Sequence, residues 1–96
     1  MDLKSRWPIL NRLCELAAEL DGIEIWVFGS MLRSDEPNDL DVLVLYGNRE
    51  DVIALRAEEL WEVRVPPVDI IAMTPSEQEH YDFISITGAV RLHPPQ

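Results

Sequence analysis

Asp39 and Asp41 stand two residues apart in a stretch that is otherwise apolar, with Leu40, Val42, Leu43, Val44 and Leu45 around them. On a strand, side chains alternate faces and each residue rises about 3.3 Å, so the two carboxylates project from one face about 6.6 Å apart at the backbone. Like charges placed this way repel one another and resist burial unless a cation or hydrogen bonds compensate them. A shared divalent metal suits that geometry, and Mg²⁺ is the simplest choice. A third carboxylate, Asp69, occupies a second apolar run, residues 68–73, between Pro66-Pro67 and Thr74-Pro75. The plainer reading makes Asp39 and Asp41 solvated residues of an edge strand and Asp69 a lone strand residue facing water. Three aspartates on apolar runs weigh against it.

A further pair of residues precedes them. An apolar run, residues 23–28, stops at Gly29-Ser30. A glycine before a short helix leaves backbone N–H groups open to phosphate oxygens, with no side chain blocking the approach. An ordinary strand-to-helix turn with serine as N-cap uses the same geometry, so the two readings overlap. Arg33 either contacts a triphosphate through its fork of donors or pairs with Asp35 or Glu36.

In order, Gly29-Ser30, eight residues, Asp39-Leu40-Asp41 and an apolar strand bearing Asp69 resemble the polymerase-beta nucleotidyltransferase superfamily. At this length the chain resembles its minimal nucleotidyltransferase (MNT) domains, which often pair with a HEPN protein. Two positions depart from the pattern: Ser34 follows Arg33 where the family often has glycine, and Asn38 precedes Asp39 where serine is favoured. The resemblance implies an α/β fold with a small mixed sheet covered by helices. It also implies a Mg²⁺-dependent nucleotidyltransferase, a two-metal site being expected, that moves AMP from ATP and releases pyrophosphate. Gly29, Ser30 and Arg33 would bind the nucleotide. Asp39 and Asp41 would hold metal, with Asp69 as general base or further metal ligand. The implied partner is a HEPN-type toxin, neutralised by AMP attached to a tyrosine hydroxyl or by complex formation. The competing readings are a binding module that keeps the fold without catalysis, and a transferase acting on RNA or, as a homodimer, on a small molecule.

Composition bounds these readings. Ninety-six residues predict one domain, 1–96, with a single core and no room for a second. Eighteen acidic against eight basic residues give a net charge of −10, which opposes direct binding to a nucleic acid backbone. A metal-bound nucleotide or a basic protein is compatible with that surface. Cys14 is the one cysteine; it excludes an internal disulfide and fits a reducing compartment. No apolar run approaches the roughly 18 residues of a membrane span, and the amino terminus lacks the apolar core of a signal peptide, so the expected location is the cytoplasm.

The elements that must position these residues follow from periodicity and turn chemistry. Residues 5–20 carry Ile9 or Leu10, Leu13, Cys14, Ala17 and Leu20 at helical spacing, with Pro8 in the first turn and Asp21-Gly22 as the stop. Strands are expected over 23–28, 39–46 and 68–73, a short helix over 30–33 and a loop over 34–38. Asn48 caps a helix expected to run to about Glu62, its apolar face being Val52 or Ile53, Ala57, Leu60 and Trp61. Thr74-Pro75-Ser76-Glu77 is a capping box opening a last helix, with Tyr81, Phe83 and Ile84 on one side. Residues 84–87 continue as helix or turn to coil, and 89–92 form a short final strand. His80 and His93 show no ligand spacing and read as surface and tail residues, Cys14 reads as part of an apolar helix face, and Trp7, Trp26 and Trp61 read as core or partner-surface residues.

Overall fold

In a computed structural model of the chain we describe residues 3–20, 22–57 and 66–95. The first helix of the sequence analysis is divided. Helix α1 spans Leu3–Arg6 and α2 spans Pro8–Ala18, with Trp7 between them at φ −122°, ψ 83°. The cause is Pro8, whose ring forces the preceding residue out of helical geometry while fitting the first position of α2. Gly22 follows at φ +79°, a left-handed conformation that glycine adopts without steric cost. Asp21, the other half of the expected stop, lies outside the described residues.

Four strands form one sheet in the order β3-β2-β1-β4. Strands β1 (Glu24–Phe28) and β2 (Leu40–Leu45) pair antiparallel, with the 3₁₀ turn Gly29–Leu32 between them. Strand β3 (Val68–Met73) lies parallel to β2, and β4 (Val90–His93) is antiparallel to β1. The sheet is therefore mixed, as expected. Helix α3 (Arg49–Arg56) lies in the parallel crossover, its amino end capped by the Asn48 side chain, which accepts from the Glu50 amide at 3.0 Å. Residues 58–65, including Leu60, Trp61 and the expected helix end at Glu62, lie outside the description.

The core occupies one face of the sheet. Leu10 and Leu13 of α2, Ile25 and Val27 of β1, and Val42 and Val44 of β2 are all fully buried. Burying each such side chain contributes about 1.5–3 kcal/mol. Helix α3 adds Val52 and Leu55, whereas Ile53 is 61% exposed and Ala57 is exposed. Of the two readings for this helix, Val52 is the inward one, and Leu55 rather than Ala57 is its partner. Residues 52 and 55 are three apart and share a face, and Ile53 is turned about 100° away.

The opposite face of β2 is also covered, since Leu43 and Leu45 are buried. Helices α4 (Pro75–Tyr81) and α5 (Phe83–Thr87) supply that layer: α4 lies against β3, and Phe83 meets Phe28 edge to face with ring centroids 5.0 Å apart. The capping box is formed, Thr74 accepting from the Glu77 amide and Glu77 from the Thr74 amide. The expected continuous last helix is broken by Asp82, left-handed at φ 52°. That break leaves Tyr81 59% exposed and separates it from Phe83 and Ile84. No described helix is long and apolar enough to cross a membrane.

Candidate active site

The candidate site is built where β1 ends and β2 begins. Antiparallel pairing sets Phe28 opposite Asp41, so the residue after Phe28 lies beside that carboxylate. It is Gly29, at φ +82°. A β-carbon there would lie 3.2 Å from Asp41 Cγ and 3.4 Å from its Cβ, and would collide outright with Oδ2. Glycine leaves the carboxylate where it stands and adopts this backbone conformation without strain, whereas a larger residue would push the carboxylate aside from a strained backbone.

Ser30 opens the turn in which its carbonyl accepts from the amides of Arg33 at 2.9 Å and Ser34 at 2.8 Å. No side chain caps the amino end of this turn. Met31, 2% exposed, anchors it in the core. The turn is four residues of 3₁₀ helix, Gly29–Leu32, and Arg33 lies just past it and exposed. Of the expected partners of Arg33, Asp35 is engaged by Arg6 instead, joining α1 to the loop before β2.

Asp39 precedes β2, Asp41 is its second residue, and Asp69 is the in-register neighbour of Asp41 on parallel β3. The start of β2 is fastened to the start of β3 by Leu40 N–H donating to the Pro67 carbonyl at 2.8 Å. Each of the three carboxylates offers an oxygen, all within 4.8 Å of one another; Asp39 and Asp41 are half-buried and Asp69 exposed. The Asp41 carboxyl is pushed above its ordinary range, first by burial and then by the charges of Asp39 and Asp69. Three converging hard oxygen donors, one of them destabilised as an anion, fit a divalent cation of the Mg²⁺, Mn²⁺ or Ca²⁺ class.

The pairing that sequence analysis did not see is Phe28 beside Asp41, which depends on strand register; the branched and aromatic run ending at Gly29 was its only local signal. A hollow of about 250 Å³ lies beyond the other end of β2, lined by Tyr46, Arg49, Val52, Ile53, Arg56 and Ala72. It contains none of the candidate residues. Arg56 there donates to the Ile70 carbonyl at 3.1 Å.

No curated protein and no solved structure matches the chain. The family model for a nucleotidyltransferase domain matches residues 8–91, which include both the Gly29-Ser30 turn and all three aspartates. With nearly its whole length matched and a small mixed α/β sheet carrying the carboxylates, the chain belongs to the nucleotidyltransferase domain family.

Proposed function

We propose that the chain acts as one domain that transfers AMP from ATP to a hydroxyl group on a HEPN-type partner protein, as an antitoxin enzyme of the cytoplasm. The observation that carries this reading is the convergence of Asp39, Asp41 and Asp69 beside a left-handed glycine whose β-carbon would press on the Asp41 carboxylate. Asp39 and Asp41 would hold Mg²⁺. When bound, the metal neutralises triphosphate charge and eases deprotonation of the acceptor hydroxyl. Gly29 and Ser30 receive the phosphates through the open amino end of their turn, and Arg33, exposed at its far end, reaches toward the same charge. Asp69 is the most accessible of the three carboxylates. It therefore takes the hydroxyl proton, or joins the metal ligands, as the acceptor oxygen bonds to the α-phosphorus and pyrophosphate leaves. Holding acceptor and phosphorus in line removes much of the entropic part of the barrier.

The test is incubation of the purified protein with Mg²⁺, labelled ATP and the product of the neighbouring gene. Label on that partner, absent when Asp39 and Asp41 are both changed to Ala, is the expected result. Label on RNA or a small molecule would redirect the acceptor, and no label anywhere would sink the enzymatic reading.

A second reading, neutralisation by complex formation alone, draws on the exposed apolar side chains after β3: Tyr81 at 59%, Ile86 at 75% and Val90 at 42%. If the double Asp39→Ala, Asp41→Ala variant still protects cells from the partner, binding is the function.

A further inference from the structure

The hollow beyond the end of β2 runs against the charge of the chain. Eighteen acidic residues stand against eight basic ones overall, yet the described side chains that line it include two arginines, Arg49 and Arg56, and no carboxylate. Elsewhere Arg6 and Arg12 sit against acids, Asp35 and Glu15. Arg49 and Arg56 form no ion pair among the described residues. Arg49 also occupies the first turn of α3, where the helix dipole favours negative charge, so its place there does not serve the helix.

Register and helical period build the walls. Ala72 is paired in register with Val44, and both belong to the core face against which α3 lays Val52. Tyr46, two residues past Val44, continues that face. On α3, Arg49, Ile53 and Arg56 are spaced i, i+4, i+7 and form one stripe. The arginines stand two turns apart, about 10.5 Å along the axis, and flank an apolar floor of Val52, Ile53 and Ala72 that Tyr46 completes. Arg56 is tethered, because its Nη2 donates to the Ile70 carbonyl at 3.1 Å. That bond holds the guanidinium at edge strand β3 and leaves its remaining N–H groups for a ligand. The hollow is open to solvent: Arg49 and Arg56 are exposed, and Ile53 is 61% exposed.

Two guanidiniums carry two positive charges. A phosphate monoester carries about −1.5 to −2 at neutral pH and offers three oxygens that two forked side chains can share, whereas a carboxylate offers a single charge. The apolar floor receives the group that the phosphate esterifies. At about 250 Å³, just under the roughly 300–1,000 Å³ of ordinary ligand pockets, the hollow limits that group to a compact one.

We propose that this hollow is a second binding site, separate from the three aspartates, for a small phosphate monoester with a compact apolar or aromatic body. The phosphate lies between Arg49 and Arg56, and the body rests on Val52, Ile53 and Ala72. Tyr46 is five residues beyond Asp41 along the chain, about 16 Å at strand rise, so the site stands independently of the nucleotidyl-transfer reading. A ligand held here bears on α3 and on β3, the strand that carries Asp69.

The test uses the intact protein at low salt with EDTA present, so that no divalent metal draws phosphate to the aspartates, and phenyl phosphate is the probe. By NMR the methyl resonances of Val52, Ile53 and Ala72 should shift saturably and together, while the Met31 methyl, in the Gly29-Ser30 turn, stays still. Phenyl phosphate should bind more tightly than inorganic phosphate, which lacks the body, and more tightly than benzoate, which lacks the second charge. Arg49→Gln should weaken binding by about tenfold or more, the loss of one charge-assisted bond, with Tm unchanged. Arg56→Gln also removes the bond to Ile70, so Arg49→Gln is the decisive variant. No saturable shift of the three methyls overturns the inference, as does a curve that Met31 shares. Benzoate or inorganic phosphate binding as tightly as phenyl phosphate overturns it too, and so does undiminished affinity in Arg49→Gln.

Discussion

The Cα of Gly29 lies against the carboxylate of Asp41, so that the first part of the motif and strand β2 are in direct contact. Gly29→Ala should combine left-handed strain with a collision, at a cost of about 1–3 kcal/mol for the backbone alone. The expected outcome in thermal melts is a lower Tm and a smaller gain on adding Mg²⁺ than the parent shows. An unchanged response to Mg²⁺ would separate the glycine from the metal site.

A divalent cation that binds only the folded state stabilises it by mass action, by about 2.7 kcal/mol at one hundred times its dissociation constant. Mg²⁺ or Mn²⁺ should therefore raise Tm in the parent and leave Asp41→Asn unmoved. Equal gains in both would show that the ion binds elsewhere.

The pH dependence has a definite sign. Asp41 is raised above its usual carboxylate range in the folded protein, so between its unfolded and folded pKa values the native state binds more protons than the unfolded one. Its contribution to stability then falls as pH rises through that window and is least favourable at neutral pH. Metal-free parent protein should gain stability on mild acidification relative to Asp41→Asn. Denaturant midpoints at pH 7 and at about pH 5 decide the matter.

Helix α3 offers a contrast between adjacent faces. Leu55→Ala should cost about 2–5 kcal/mol, since Leu55 is 1% exposed, whereas Ile53→Ala should fall within about 0.5 kcal/mol, since Ile53 is 61% exposed. Urea titrations of the two variants test the orientation of the helix. Equal losses would mean that Ile53 packs against something beyond the described residues.

Cys14 is buried on α2, and burial raises its thiol above the ordinary range, with Lys4 opposing to a lesser degree. Thiolate is the reactive form. Iodoacetamide at pH 8 should modify the unfolded chain and spare the folded one, as read by mass spectrometry. Rapid labelling of the native protein would contradict that burial.

The nearness of Asp39 to Asp41 was legible from their two-residue spacing, although the strand expected over 39–46 begins at Leu40, so strand alternation places Asp41 while Asp39 reaches it from the bend just before β2. The convergence of Asp69 was legible as a resemblance and not as geometry, since its alignment with Asp41 depends on parallel register. Helix boundaries were read well where a side chain caps them, at Asn48 and Thr74, and less well where backbone conformation alone decides. Trp7 before Pro8 and left-handed Asp82 each divided an expected helix. The choice between Val52 and Ile53 awaited the position of the sheet, because both fit an apolar stripe.

The sheet order gives the carboxylates unequal mechanical footing. Asp41 sits on β2, flanked by a strand on each side, whereas Asp69 sits on β3 at the sheet edge. Amide exchange should accordingly be slowest along β2 and faster along β3, as local openings start where fewest contacts must break. An excursion that releases β3 alone would carry away Asp69 and leave the Asp39 and Asp41 pair assembled. On the proposed roles, capture of a charged nucleotide and removal of the acceptor proton would then answer to different fluctuations of the same fold.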